Sequence, residues 1–368
     1  MKKSLDTPFL LVLCGLVGAG LLIFTSAALG LLARDGASFS SVTVSQLLLG
    51  LVLGGILFFI LARVDYRLWR PYTPYFFAFA IGMTLLTFIP GIGLELKGAS
   101  RWINLGPFTF QPGELLKFAT VLFLAAMYAM RFKTIDTLKD GLVPLLVITG
   151  SASGILLLQP DTDAVAILAL ASISMLFVGG GKLRHLGLLV VIGLLAISIA
   201  AWQRPYLMER FQTFLHQEAD PQGAGWQIQQ SLITVGSGGL TGRGFGQGVQ
   251  KFSYLPEPIG DSIFAVAAEE FGFIGSVGLV MLYVAFAMLG LRIASRAADP
   301  FGGLRVVGRV MLIIGQSFFN MASTLGLVPV SGLPLIFVSH GGSALAIALA
   351  EAGVILSVSR RMRQKSSN

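Results

Sequence analysis

The sequence predicts an all-α, polytopic integral membrane protein of about ten transmembrane helices, and three observations carry that expectation. The 368 residues are 55% hydrophobic and only 12% charged, far from the roughly 25% charged residues of soluble domains, and the mean hydropathy is +0.81. Apolar runs of about 20 residues, the length a helix needs to cross a bilayer core, recur along the whole chain. Lys and Arg gather in alternate connections between those runs, the asymmetry that orients membrane helices. The 45 glycines fit the same class, because small residues let membrane helices approach closely.

The runs fall at 8–32, 44–62, 73–93, 113–130, 142–159, 164–180, 186–202, 262–291, 306–327 and 344–359. The first follows MKKSLDTP and has no small-x-small cleavage site, so it reads as a retained helix and not a signal peptide. The fifth and sixth are separated only by Pro160-Asp161-Thr162-Asp163 and read as a tight helical hairpin. A long loop, 203–261, precedes the eighth, and residues 1–368 read as one membrane domain. With the N-terminus inside, the clusters Arg63/Arg67/Arg70, Arg131/Lys133/Lys139, Arg305/Arg309 and Arg360/Arg361/Arg363 are all cytoplasmic, and so are both termini. The net charge of +8 is then a matter of topology and anionic lipid, and no nucleic-acid partner is implied. Cys14, the single cysteine, excludes an intramolecular disulfide. The loop GLTGRGFGQG lacks the Gly-Lys-Ser/Thr ending of an ATP-type phosphate loop and reads as flexible.

This topology places four loops on the extracytoplasmic side besides the short first one, at 94–112, 160–163, 203–261 and 328–343, and the unusual residues lie in or beside them. Asp261 follows a Pro/Gly turn at the mouth of the eighth run. As one straight helix, that run is about 45 Å long against a core of about 30 Å, which puts Asp261 about 16 Å beyond the hydrocarbon edge. A carboxylate there serves either as a base or as a helix N-cap, and position alone favours the cap. Glu269 and Glu270 read as structural. Glu114 and Lys117, at i and i+3, form a structural pair or offer a held cation to an anionic head group. Arg101 lies just above them, and two cations at one pocket would suit a pyrophosphate. Asp161 and Asp163 are candidate caps of the sixth helix. Ser339 and His340, in SHGG, sit where glycines permit close approach of a ligand or a neighbouring helix. The three histidines lie apart, so no histidine-based metal site is predicted.

Four segments resemble the SEDS family of bacterial shape, elongation, division and sporulation proteins, which are peptidoglycan glycosyltransferases: KGASRWINLGPFTFQPGELLKF (97–118), LQPDTD (158–163), QQSLITVGSGGLTGRGFGQGVQKFSYLPEPIGDSIFAVAAEEFGFIG (229–275) and GLVPVSGLPLIFVSHGGSALAIALAEAGVILSVSRR (326–361). They occur in family order and cover essentially the whole chain. The resemblance implies an inverting polymerase of lipid II in the bacterial cytoplasmic membrane, with its active site on the extracytoplasmic face. Asp261 would be the general base, Lys117 and Arg101 would bind the leaving pyrophosphate, Glu114 would orient Lys117, and Asp161 matches a further important acid. Lys251, Ser339 and His340, within matched segments, are expected to bind substrate. The implied partners are undecaprenyl-pyrophosphate-linked glycan, a class B penicillin-binding transpeptidase and divisome or elongasome components, with a divalent cation (Mg or Mn) as a possible assistant. The forms QPGE, SHGG, LPLIF and QPDTD depart from commoner family spellings. PIGDSIFAV and short tails resemble the division branch more than the elongation branch. Two rival readings differ in class. A lipid transporter needs charge toward the midplane, and the cytoplasmic half reads as almost devoid of buried charge; a scaffold would leave Asp261 dispensable.

Overall fold

The computed structural model describes residues 5–34, 39, 42–96, 99–106, 108–203, 205–216 and 224–362. Helices α1 (Thr7–Arg34) and α2 (Val42–Arg63) are followed by a 3-10 turn, Tyr66–Tyr72, and by α3 (Thr73–Leu85). Strands β1 (Gly93–Leu96), β2 (Ala99–Asn104) and β3 (Thr109–Phe110) precede α4 (Pro112–Met130), α5 (Leu138–Leu158), α6 (Thr162–Val178) and α7 (Leu183–Gln203). Next come α8 (Pro205–Leu215), α9 (Ala224–Ser237), the single turn α10 (Gln250–Ser253), α11 (Ile263–Ser295), α12 (Pro300–Thr324) and α13 (Gly342–Ser359). Every predicted run carries a helix. Among the described residues, seven helices are long and apolar enough to cross a membrane; α3, α6 and α7 occupy the other three runs.

Burial sorts the bundle into a centre and a rim. In the most apolar 18 residues of each helix, 94% are buried in α13, 72% in α4 and 67% in α12, against only 22% in α2 and α11. The central helices are enclosed by protein, and the rim presents the leucines and phenylalanines that lipid solvates. Glycine sets the closest approach: a Cβ on Gly353 of α13 would stand 2.6 Å from the carbonyl oxygen of Phe58 on α2.

Three features depart from the sequence expectation. The first is a small antiparallel sheet, ordered β1-β2-β3 with Gly93 opposite Ile103 and Ile103 opposite Phe110, in a chain expected to be all helical. The third run therefore stops at Leu85; a 3-10 turn, Leu86–Phe88, and Pro90 lead into the sheet.

The second is a break in α11. Gly272 has φ 65° and ψ −164°, a conformation open essentially to glycine alone. A break strands backbone groups that would be costly in lipid, and here the glycine-rich loop 238–248 takes all four. Arg243 N donates to Glu269 O (3.0 Å), Gly244 N to Glu270 O (3.0 Å), Phe273 N to Gly239 O (2.9 Å) and Ile274 N to Leu240 O (3.1 Å). That loop is a fitted backbone partner, not a flexible connection. The segment 263–271 is buried in protein for nearly its whole length, so the straight-helix height assigned to Asp261 does not hold.

The third is the start of α12 at Pro300, six residues before the predicted run, with Asp299 capping it by accepting from Gly302 N (3.0 Å). Arg305 and Arg309, expected in a cytoplasmic connection, lie inside the helix and are 1% and 0% exposed. Glu351 on α13 is also buried. The expected scarcity of buried charge in that half of the bundle is not found.

Candidate active site

One face of α12 organises the polar interior. Gln316, Asn320 and Thr324 recur every four residues and so line one stripe. Lys117 Nζ donates to Gln316 Oε1 (2.7 Å), and Gln316 Nε2 donates to Pro334 O (3.3 Å). One turn further, Asn320 Nδ2 donates to both Asp261 O (2.9 Å) and Leu333 O (2.8 Å), and Thr324 Oγ1 donates to Asp261 O (3.3 Å). The cation and the acid are thus fixed from the same helix, with their anchors about 6 Å apart along its axis. The stripe was legible as three polar residues at i, i+4 and i+8 in an apolar run, a signal the motif-based reading passed over.

Asp261 is partly buried and immediately precedes Ser262, which occupies the N-cap position of α11 without a side-chain cap bond; Asp261 is not the cap residue. Its Oδ2 lies 3.9 Å from where a Cβ on Gly332 would stand. Asp163 reaches the same glycine, accepting from Gly332 N at 3.3 Å, and also pairs with Arg210 at 3.4 Å. Asp163 therefore ties loops together, and Asp161 is the cap of α6, accepting from Ala164 N (3.3 Å).

Lys117 is 3% exposed and its Nζ lies 2.9 Å from Glu114 Oε1, so the predicted i, i+3 pair forms in a site closed to bulk water. Arg101, on β2, donates from Nε to Gln159 O (3.0 Å) and from Nη2 to Pro160 O, while Nη1 stands 3.8 Å from Asp161 Oδ1. It braces the α5–α6 turn. Burial raises the Asp161 carboxyl above its ordinary range, against the opposing charges of Arg101 and Lys117. Ser339 Oγ donates to Gly260 O (2.7 Å), and His340 N donates to Ile259 O (2.7 Å); together they hold the two residues before Asp261. His340 stacks on Phe24 with its Nε2 buried, and burial pushes its imidazole down to about 4, against the raising influence of Glu257.

Lys251 was expected to meet substrate, and its geometry assigns it elsewhere. It is wholly buried and donates to Glu270 Oε1 (2.5 Å), Ser26 Oγ (2.7 Å) and Gly246 O (3.2 Å). Those three acceptors use all three ammonium donors. Glu270 Oε2 accepts from Gly246 N (3.1 Å), and Glu269 accepts from Val249 N (3.0 Å) and Gln250 N (3.3 Å). The two glutamates thus pin the loop that fills the α11 break, in keeping with their structural reading. Among the described residues no three His, Cys, Asp or Glu converge on one point.

Fold and site together define a multi-pass membrane protein with a desolvated acid–cation site between its central helices. The FtsW/RodA/SpoVE family model, described as cell cycle protein, matches residues 7–364, and the chain belongs to that family. It is 38% identical over 311 residues to stage V sporulation protein E of Bacillus subtilis (strain 168), covering 84% of this chain and 85% of that protein. It is 36% identical over 364 residues to a probable peptidoglycan glycosyltransferase FtsW of Trichlorobacter lovleyi, covering 97% and 94%. Among solved structures, a chain from work on the coordination of polymerization and crosslinking by a peptidoglycan synthase complex matches with a TM-score of 0.80 at 29% identity, covering 98% of this chain and 99% of that one. Thermus thermophilus rod shape determining protein RodA matches with a TM-score of 0.66 at 28% identity, covering 96% and 98%.

Proposed function

We propose that this protein is a peptidoglycan glycosyltransferase that polymerises lipid II in cell division or cell shape. The observation that carries the mechanism is the α12 stripe, which holds the Asp261 backbone and the Lys117 ammonium one turn apart. Asp261 accepts the proton of the GlcNAc 4-hydroxyl of an incoming lipid II. The freed oxygen attacks the MurNAc anomeric carbon of the growing strand from the face opposite the leaving group. The bond from that carbon to the undecaprenyl pyrophosphate breaks with inversion, and the pyrophosphate leaves with the electron pair. Lys117, oriented by Glu114 and Gln316, stabilises the charge developing on it. Arg101 keeps the Asp161 turn in place beside Lys117, and Ser339 and His340 keep the Asp261 approach in place.

The active site belongs on the extracytoplasmic face and both termini in the cytoplasm; the clustering of Lys and Arg supports this orientation. The division branch is supported by the FtsW names of the sequence relatives, and a class B transpeptidase partner by the likeness to a chain studied in a synthase complex. Glycan-strand formation from purified lipid II, by the full chain with its transpeptidase, tests the mechanism. Asp261→Asn is expected to abolish polymerisation while the protein remains folded; equal product from both proteins would remove Asp261 as the base. The buried Arg305, Arg309 and Glu351 favour one second reading, lipid translocation. Flipping of lipid II in sealed vesicles that survives Asp261→Asn would support it.

A further inference from the structure

Two central helices carry charges for which the reaction above has no use. Arg309 on α12 is wholly buried, and its Nε, Nη1 and Nη2 find no hydrogen-bond acceptor among the described residues. Its guanidinium lies 4.0 Å from the centroid of the Phe118 ring. A cation desolvated this deeply is costly without a counter-charge nearby. Glu351 on α13 provides one: it is 5% exposed and shares a small cavity with Leu312 and Ile313, three and four residues on from Arg309 along α12.

Glu351 also faces the catalytic cation. With Glu114, Lys117 and Gln316 it lines a cavity of about 10 Å³, room for a single water. On α12, Arg309 and Gln316 are seven residues apart, so they share a face about 10 Å apart along the axis. On α13, Ala344, Ala348 and Glu351 line that cavity together with Leu312 and Ile313 of α12, so Glu351 lies against the stretch of α12 that separates Arg309 from Gln316.

We propose that Arg309 and Glu351 are a positioning pair for the Lys117 site: Arg309 compensates the Glu351 carboxylate, and Glu351 joins Glu114 as the acidic wall that confines the Lys117 ammonium and moderates its pull on an anionic substrate group. The proposal rests on Lys117 being the pyrophosphate-binding cation. It separates from a purely structural strut through substrate affinity. Removing the pair takes one acidic neighbour away from Lys117 and strengthens the potential that a pyrophosphate meets.

The experiment is lipid II polymerisation by the full chain with its transpeptidase, comparing wild type, Glu351→Gln, the double variant Arg309→Met/Glu351→Gln, and each of these in a Lys117→Met background. Glu351→Gln alone strands the Arg309 charge and is expected to melt below the double variant. In the double variant KM falls about three- to tenfold, with kcat within about twofold, and the fall disappears in the Lys117→Met background. An unchanged KM in the double variant, alongside a raised KM in Lys117→Met, overturns the positioning pair and leaves the Lys117 reading standing. An unchanged KM in Lys117→Met overturns the Lys117 reading and the proposal with it.

Discussion

His340 shows how one side chain can be legible as a motif member while its neighbours in the fold are not. In the sequence it stood beside a glycine pair as a candidate substrate contact; in the fold its backbone N–H holds Ile259 and its ring packs on Phe24. Its folded-state value near 4 lies below the ordinary 6.5, so between those limits the unfolded chain binds more protons than the native one. Stability is therefore complete above about pH 6.5 and is lost as pH falls toward 4, by about 1–2 kcal/mol at pH 5. Thermal melts of wild type and His340→Tyr across that interval check it: the acid loss is expected to shrink in the variant, and parallel curves would assign it to other groups. Gly332 offers a second residue-scale prediction. A side chain there points at the Asp261 carboxylate from 3.9 Å, and the glycine itself is exposed. Gly332→Val should lower kcat/KM by about tenfold or more, or about 1.4 kcal/mol, with little change in melting temperature.

At the scale of elements, the periodic runs were read well and the interruptions were not. Hydropathy registers any apolar run of helix length, whether it faces lipid or protein, so α1, α2, α4 and α13 fell where the apolar runs did. It carries no record of backbone angles, and the break at Gly272 was invisible in a 33-residue apolar helix. The partner of that break, the loop 238–248, was legible only as a cluster of glycines; their common cause is that Gly238, Gly242 and Gly272 stand where a Cβ would collide with backbone. Gly272→Val should destabilise the protein by about 3 kcal/mol or more, read as a lowered melting temperature. A variant as stable as wild type would mean that the loop does not depend on the break. The short strands were missed because two to six residues beside a turn give too little alternation to register against the neighbouring helical period.

For the whole molecule, composition settled membrane class at once, and the site emerged only from the way α12 gathers α4 and two loops that are distant in sequence. Lys117 and Glu114 were legible as an i, i+3 pair on one helix. Asn320 was not, because its partners, Asp261 and Leu333, come from two other segments. The proposed orientation makes one global prediction. In a Cys14→Ala background, Leu240→Cys should react with a membrane-impermeant maleimide added to intact spheroplasts, and Lys133→Cys only after permeabilisation. The reverse pattern would invert the topology and take the site to the wrong face for lipid-linked chemistry outside the cell.

The α11 break also bears on how the chain is made. To the insertion machinery, 263–295 presents one long apolar signal broken only by Glu269 and Glu270 near its start, and the four backbone groups that the kink releases have no partner until 238–248 settles against them. Those glycines are synthesised first, so the earlier segment must wait at the bilayer edge and then dock as the later one bends. Assembly of the catalytic end is therefore a late, post-insertion event, and damage to the glycine loop should appear first as degraded newly made protein and only then as slow enzyme.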